Sequence, residues 1–253
     1  MKIWIIIPFV IVFLIFPSET FAGTFRDNFD DGNLNGWKKT KFDWSAFAEI
    51  EAVSNWQVKN GIAVGGDNNV TMINGLFVDE KIYGSWKDYT AEVSVKLSKT
   101  LRDCPEWVGV YLSVRVQPRL PMSYNLAIRR WGQEGEVACG YICLDKGDKG
   151  VDPKSPIKTE TNKWYRLKLS VEGDLIKCYL DDKEIIAYKG DNLYATGNPG
   201  FAVNGLEAYF DDFVVTGPDV PDVGTKGVVN TQTKQAILWG ELKRSGILDY
   251  FSY

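Results

Sequence analysis

The chemistry open to this chain is first limited by an absence: its 253 residues include no histidine. Ser-His-Asp and Cys-His relays and imidazole metal centres are therefore excluded. Carboxylates remain for proton transfer. Two of them roughly 5–10 Å apart on one face can hydrolyse a glycosidic bond. The nearest such spacing is Glu49-Ile50-Glu51, with Glu92 and Glu134 as isolated acids. Glutamates flanking an isoleucine read first as an exposed strand or loop face, so no catalytic residue is assigned and the question of an enzyme stays open. A hard cation needs oxygen ligands. The acidic-aromatic segments Phe25–Gly32 and Tyr209–Val215 offer Asp30 and Asp211, with Asp27 as a third, for one structural calcium ion. The same acids also read as turn caps.

Binding chemistry is better staged. Val108, Val110, Leu112, Val114 and Val116 alternate along one run, Tyr89 to Leu97 along another, and Tyr124, Leu126 and Ile128 along a third. Successive strand side chains point to opposite faces. If the apolar set faces a core, Tyr111, Ser113 and Arg115 face outward, Asn125 and Arg129 join them from the next strand, and Glu92 comes from an earlier one. Trp131 follows at a strand end and Trp107 lies in a loop. Such a surface gives a ring for the C–H face of a sugar, and arginine forks for paired hydroxyls or a carboxylate. The expected ligand set is Glu92, Trp107, Tyr111, Arg115, Asn125, Arg129 and Trp131. The same residues also fit a solvated sheet face with cross-strand Glu–Arg pairs.

These side chains need a frame, and the chain supplies strands. Trp56–Lys59, an Asn60-Gly61 turn and Ile62–Val64 give a hairpin signal. Trp164–Val171 and Leu175–Leu180 flank Glu172-Gly173-Asp174, and Asp181-Asp182-Lys183 leads into Glu184-Ile185-Ile186. Trp37, Trp56, Trp86 and Trp164 stand at strand starts, where core or corner packing is expected. Many antiparallel strands with one apolar face each must bury that face on a second sheet. The expected fold is all-β, a two-sheet antiparallel jelly-roll sandwich over residues 24–217. The two acidic-aromatic segments are its first and last strands, meeting side by side. Pro218-Asp219-Val220-Pro221-Asp222 opens a stiff linker, 218–230. A C-terminal tail, 231–253, has a short amphipathic helical period and an aromatic end. It either folds back on the domain or docks on a protein partner.

Residues 1–22 read as a signal peptide: Lys2, the uncharged run Ile3 to Phe16, then Thr20-Phe21-Ala22 at the cleavage positions. The run is shorter than the ~20 residues of a membrane span. The product is expected to be secreted, extracellular or periplasmic, with no membrane attachment after cleavage. A formal net charge of −4 without a basic run argues against nucleic acid. In an oxidising compartment Cys104, Cys139, Cys143 and Cys178 favour disulfides. Four cysteines allow three pairings, among which Cys104–Cys139 is the preferred bridge.

The order of motifs carries a family likeness. Phe29-Asp30-Asp31-Gly32 with Gly36-Trp37, Trp56–Gly61, Trp86–Val93, Val108–Arg115, Trp164–Leu167 and Phe210–Val215 together resemble the concanavalin A-like lectin/glucanase superfamily. The likeness is closest to laminin-G-like domains and to the 3-keto-disaccharide hydrolase domain family, related to fructan-binding modules of levanases. It spans about residues 24–217. It implies a sandwich with a glycan-binding face and, in many members, one structural calcium. Laminarinase-type relatives carry a Glu-x-Asp-x-x-Glu cluster; here Glu49-Ile50-Glu51 is followed by Val53-Ser54 where the third acid would fall. The resemblance therefore implies a secreted, lectin-like carbohydrate-binding domain. The alternatives are a glycoside hydrolase-type enzyme of the same superfamily, or a structural or adhesive component docking through its tail.

Overall fold

The computed structural model describes residues 22–43, 45, 48–49, 55–105, 108–117, 122–131, 134–143, 147–190 and 193–223, with backbone alone at 48–49 and 131–156. The expected signal segment before Ala22, the tail 231–253, Trp44, Glu51 and Trp107 lie outside the described residues. No helix among those described is long and apolar enough to cross a membrane.

The chain opens with β1 (Gly23–Asp27), β2 (Trp37–Asp43), β3 (Ala48–Glu49), β4 (Gln57–Lys59), β5 (Ile62–Gly66) and β6 (Met72–Val78). A one-turn helix, α1 (Glu80–Tyr83), leads to β7 (Tyr89–Leu97). Then come β8 (Gly109–Val116), β9 (Ser123–Trp131), β10 (Glu134–Cys143) and β11 (Gly147–Ile157). The last five are β12 (Trp164–Glu172), β13 (Leu175–Leu180), β14 (Lys183–Lys189), β15 (Asn198–Asn204) and β16 (Glu207–Gly217). They form two antiparallel sheets. The β7 sheet runs β14-β13-β12-β7-β16-β5-β4, with β1 added on β16; the β8 sheet runs β11-β10-β9-β8-β15-β6-β2-β3.

Turn chemistry sets the hairpins. Asn60 and Gly61 take φ of 52° and 73°, and Asp181 and Asp182 take 49° and 63°. Positive φ at both central residues matches the right-handed twist of the flanking strands. The two acidic-aromatic segments do pair, with Gly23 opposite Gly217 and Asp27 opposite Phe213. Asp212 (φ 50°) marks a bulge between Asp211 and Val214. That extra residue lets Phe210 and Phe213, three apart, both reach the core.

The sandwich interior follows the period-two pattern. Tyr89, Ala91, Val93, Val95 and Leu97 of β7 meet Val110, Leu112 and Val114 of β8 and Tyr124, Leu126 and Ile128 of β9 in one core. Trp37, Trp56, Phe25, Phe29, Phe201, Phe210 and Phe213 fill one end of it, with Phe201 stacked on Phe210 at 4.3 Å. Trp164, expected in a core or corner, is instead 39% exposed and carries Lys96 Nζ over its ring.

Two expectations change at the edges. Pro218 to Val223 pack on β1: Val220 is buried in the core, Val223 bridges Phe25, and its N–H donates to Thr24 O. The first residues of the expected linker thus belong to the sandwich. Cys104 is a free, buried thiol, so the Cys104–Cys139 bridge does not form; burial pushes its pKa up.

Candidate functional site

The register places one set of side chains on the outer face of the β8 sheet. Along one row lie Phe42, Ile73, Asn204, Gly109 and Arg129. The next row is Thr40, Gly75, Ala202, Tyr111 and Ala127, and the third is Lys38, Phe77, Gly200, Ser113 and Asn125. Phe42, Ile73, Phe77, Tyr111, Ala127 and Ala202 form a hydrophobic cluster separate from the main core. Small residues, Ala202 and Ala127, flank Tyr111 on both sides along that row.

Glycines shape this face by close approach. A Cβ on Gly75 would lie 2.4 Å from Phe77 Cε2, and one on Gly200 would lie 2.6 Å from Phe77 Cδ1. Phe77 therefore lies against bare backbone of its own strand and of neighbouring β15. A Cβ on Gly109 would sit 2.8 Å from Arg129 Cβ, so Arg129 is likewise seated on backbone.

Polar groups gather here. Ser113 and Ser123 hydroxyls donate to Asn125 Oδ1 at 2.6 and 3.0 Å, and Asn125 Nδ2 donates to Ser123 O at 3.2 Å. Arg129 and Asn204 complete the set. Against the expectation of an open outer face, it is enclosed: Tyr111 is 8%, Asn125 6% and Arg129 4% exposed. Buried polar groups are costly unless they find hydrogen-bond partners. Five of the nine buried polar or charged side chains among the described residues, Ser113, Ser123, Asn125, Arg129 and Asn204, lie on this single surface.

The expected ligand set divides. Tyr111, Asn125 and Arg129 do come together. Arg115 leaves the face, because its φ of 51° and a register shift between Asn198 and Gly200 break the alternation. Its guanidinium, 1% exposed, donates to Lys87 O (3.0 Å), Tyr194 O (3.0 Å) and Asp88 Oδ1 (3.2 Å). Its N–H donates to Tyr89 Oη at 2.6 Å, and that hydroxyl donates to Gly197 O. Arg115 is a frame residue. Glu92 lies on the other sheet, paired with Arg166 (3.1 Å) and Lys168 (3.7 Å). Trp131 ends β9 as a backbone position, opposite Glu134.

The expected cation ligands do not assemble into a cage. Asp27 accepts from Phe29 N at 2.8 Å and Trp37 Nε1 at 2.7 Å, and burial raises its pKa despite both bonds. Asp30 accepts from Asn28 Nδ2, and Asp211 Oδ1 from Asp212 N. Among the described residues no three acidic or cysteine side chains converge. These acids fasten turns and a strand end.

Sequence reasoning missed Asn204, Ser123, Phe42 and Phe77. Extending the alternation of Gly200–Val203 by one residue would have reached Asn204. Glu136 was missed as well: its register partner is Arg129, a pairing that needs the β9–β10 hairpin to be recognised.

Solved structures with this architecture include the carbohydrate-binding module CBM66 from Bacillus subtilis, 19% identical, covering 72% of this chain and 95% of that one at a TM-score of 0.54. LamAcat from Zobellia galactanivorans matches at 12% identity, 76% and 96% coverage and a TM-score of 0.51. Winged bean acidic lectin matches at 6% identity, 77% and 98% coverage and 0.51. At such identities they establish the concanavalin A-like jelly-roll fold alone. Comparison with curated proteins gives no match. A family model does match, over residues 24–216, nearly the whole span from β1 to β16; the chain therefore belongs to the family of the 3-keto-alpha-glucoside-1,2-lyase-like domain.

Proposed function

We propose that this is a secreted, non-catalytic glycan-binding domain whose ligand lies on the outer face of the β8 sheet. The observation that carries the reading is the concentration of neutral hydrogen-bonding groups there, Ser113, Ser123, Asn125 and Asn204, with Arg129 beside Tyr111. Sugars are recognised by this mixture: a ring against the C–H face, amides and hydroxyls for the hydroxyl groups, and an arginine fork. Enclosure strengthens each bond, because hydrogen bonds tighten in a low local dielectric. The reading rests on these neutral groups; the same register also sets Glu49 opposite Phe42 and Glu136 opposite Arg129 at the two ends of the first row. The fold shared with a carbohydrate-binding module and a lectin supports the same reading.

Affinity electrophoresis through gels containing neutral polysaccharides tests it, with Arg129→Gln and Asn204→Ala compared with wild type. A retarded wild type, with retardation lost in both variants while their melting curves stay cooperative, is the expected result. Retardation equal in all three proteins would sink the assignment of this face.

An enzyme acting on a glycosidic bond is the second reading. It is favoured by the family and by Glu136, whose backbone lies opposite Arg129. Release of reducing sugar, abolished by Glu136→Gln, would put it ahead of the first.

A further inference from the structure

A pocket of about 290 Å³ opens at the end of the sandwich where the two sheets' first strands diverge, away from the β8 face. Its apolar side is Phe25, Ile82 and Tyr83; its polar side is Arg26, Asp31, Asn33 and Asn35. We propose that it is a second carbohydrate site, one that takes a single neutral sugar ring.

The local sequence builds the shape. Asp27 accepts from Phe29 N and Trp37 Nε1, which turns the chain sharply out of β1. Asp31 Oδ1 then accepts from Asn33 N (3.1 Å) and Asn33 Oδ1 from Asn35 N (2.8 Å). These consecutive side-chain-to-backbone turns hold the loop as a rim without any regular element. Gly36 ends it, with φ of 89° and its missing Cβ replaced by Tyr83, whose hydroxyl would lie only 2.7 Å from such an atom. On the far side, Asp79 N donates to Gly36 O and the Asp79 carboxylate accepts from Lys81 N, which docks α1 as the opposing wall. Phe25 and Tyr83 meet edge to face at 5.2 Å.

The chemistry left at the mouth is specific. Asp31 uses Oδ1 on the turn and keeps Oδ2 for a hydroxyl donor. Asn33 uses its carbonyl on the turn and keeps its N–H₂ group. Asn35 and Arg26 are exposed beside them. A carboxylate acceptor next to amide donors suits two adjacent hydroxyls, one donating and one accepting. Ile82, 60% exposed on the facing wall, gives the ring's C–H groups an apolar contact. The volume sets the length: pockets for drug-sized ligands start at roughly 300 Å³, so this one admits one ring and no internal stretch of polymer. A free monosaccharide and the terminal unit of a glycan present the same chemistry.

Saturation-transfer NMR tests it, with methyl glycosides of glucose, galactose, mannose and fructose as probes, followed by titration of the best one. The variants are Asp31→Asn, Asn35→Ala and Ile82→Ser. All three sites lie at the surface, and Asn at 31 retains the turn's oxygen acceptor, so the fold is kept. The expected result is saturation of at least one glycoside, with affinity weakened about tenfold by Asp31→Asn, the size of a lost charge-assisted hydrogen bond. Repeating the titration in an Arg129→Gln background removes any contribution of the β8 face, so failure here and failure of the face are separable. A disaccharide ending in the same unit that binds equally well identifies a chain end as the source; a glycoside that binds while the disaccharide does not identifies the free sugar. No saturation by any of the four glycosides, or affinity unchanged in all three variants, overturns the proposal.

Discussion

Replacing Arg115 with alanine should unfold the protein more readily without touching glycan recognition. The side chain is 1% exposed and makes three hydrogen bonds, to Lys87 O, Tyr194 O and Asp88 Oδ1. Truncating one partner of a buried charged pair costs about 3–5 kcal/mol, because the groups left behind lose their counter-charge. Here the lower end applies. Asp88 remains 29% exposed and keeps the Gly173 N–H at 2.8 Å, so water and a backbone donor soften its loss. The bond to the Tyr194 carbonyl is lost in a buried setting. About 3 kcal/mol at roughly 2–4 °C per kcal/mol for a domain of this size gives a fall in Tm of about 6–12 °C. Arg115→Lys should recover little, since an ammonium cannot reach three acceptors in one plane as the guanidinium fork does. Circular-dichroism melts measure the fall; gel retardation of the folded variant measures binding. A Tm within about 2 °C of wild type, coupled with lost retardation, would refute the frame role and return Arg115 to a ligand-facing one.

Two other side chains give sharp expectations. Burial raises the Asp27 pKa above its ordinary 3.8, so its contribution to stability is full below 3.8 and is lost as pH rises through the folded-state value. The Tm of wild type minus that of Asp27→Asn should therefore fall with rising pH across that window and level off above it; a difference that stays flat would contradict the burial argument. Glu92→Gln breaks the pairs with Arg166 and Lys168, all three side chains being 25% exposed. Partly solvated pairs are worth up to about 1 kcal/mol and weaken in salt. The variant's small Tm loss should vanish at high ionic strength with gel retardation intact; impaired retardation would put Glu92 back in the ligand set.

The fold was legible wherever one local rule acted alone. Tyr89 to Leu97 alternates without interruption, and its strand appears with that face buried. Asn60-Gly61 and Asp181-Asp182 announced turns because few other residue pairs hold two positive φ angles at such low cost. The site was less legible because bulges break the period of two. One irregular step at Arg115 sends its side chain from the outer face into the frame, and a similar step at Asp212 brings Phe213 inward. Neither is visible in the pattern, since the residues at both bulges are ordinary ones. Burial of the β8 face was equally hidden: alternation says which way a side chain points and nothing about what encloses it. Asp27 looked like a cation ligand because a carboxylate beside aromatic residues gives the same letters whether it meets an ion or the N–H of Trp37.

The contrast between the two outer faces supports placing the proposed sugar site on the β8 sheet and not on the β7 sheet. On the β7 sheet the charges satisfy one another: Glu92 holds Arg166 and Lys168, Lys168 also meets Asp182 at 3.1 Å, and Arg166 donates to Ser94 Oγ and Asp212 O. A neutral hydroxyl would have to displace charge-assisted bonds there, which are roughly twice as strong as neutral ones. On the β8 sheet Ser113, Ser123 and Asn125 share one carbonyl oxygen between two hydroxyls. These bonds are neutral ones, so a hydroxyl that exchanges with them displaces no charge-assisted bond. A polyol site is built more readily from such neutral groups than from paired charges, and in this sandwich the register gathers them on one sheet, beside Tyr111.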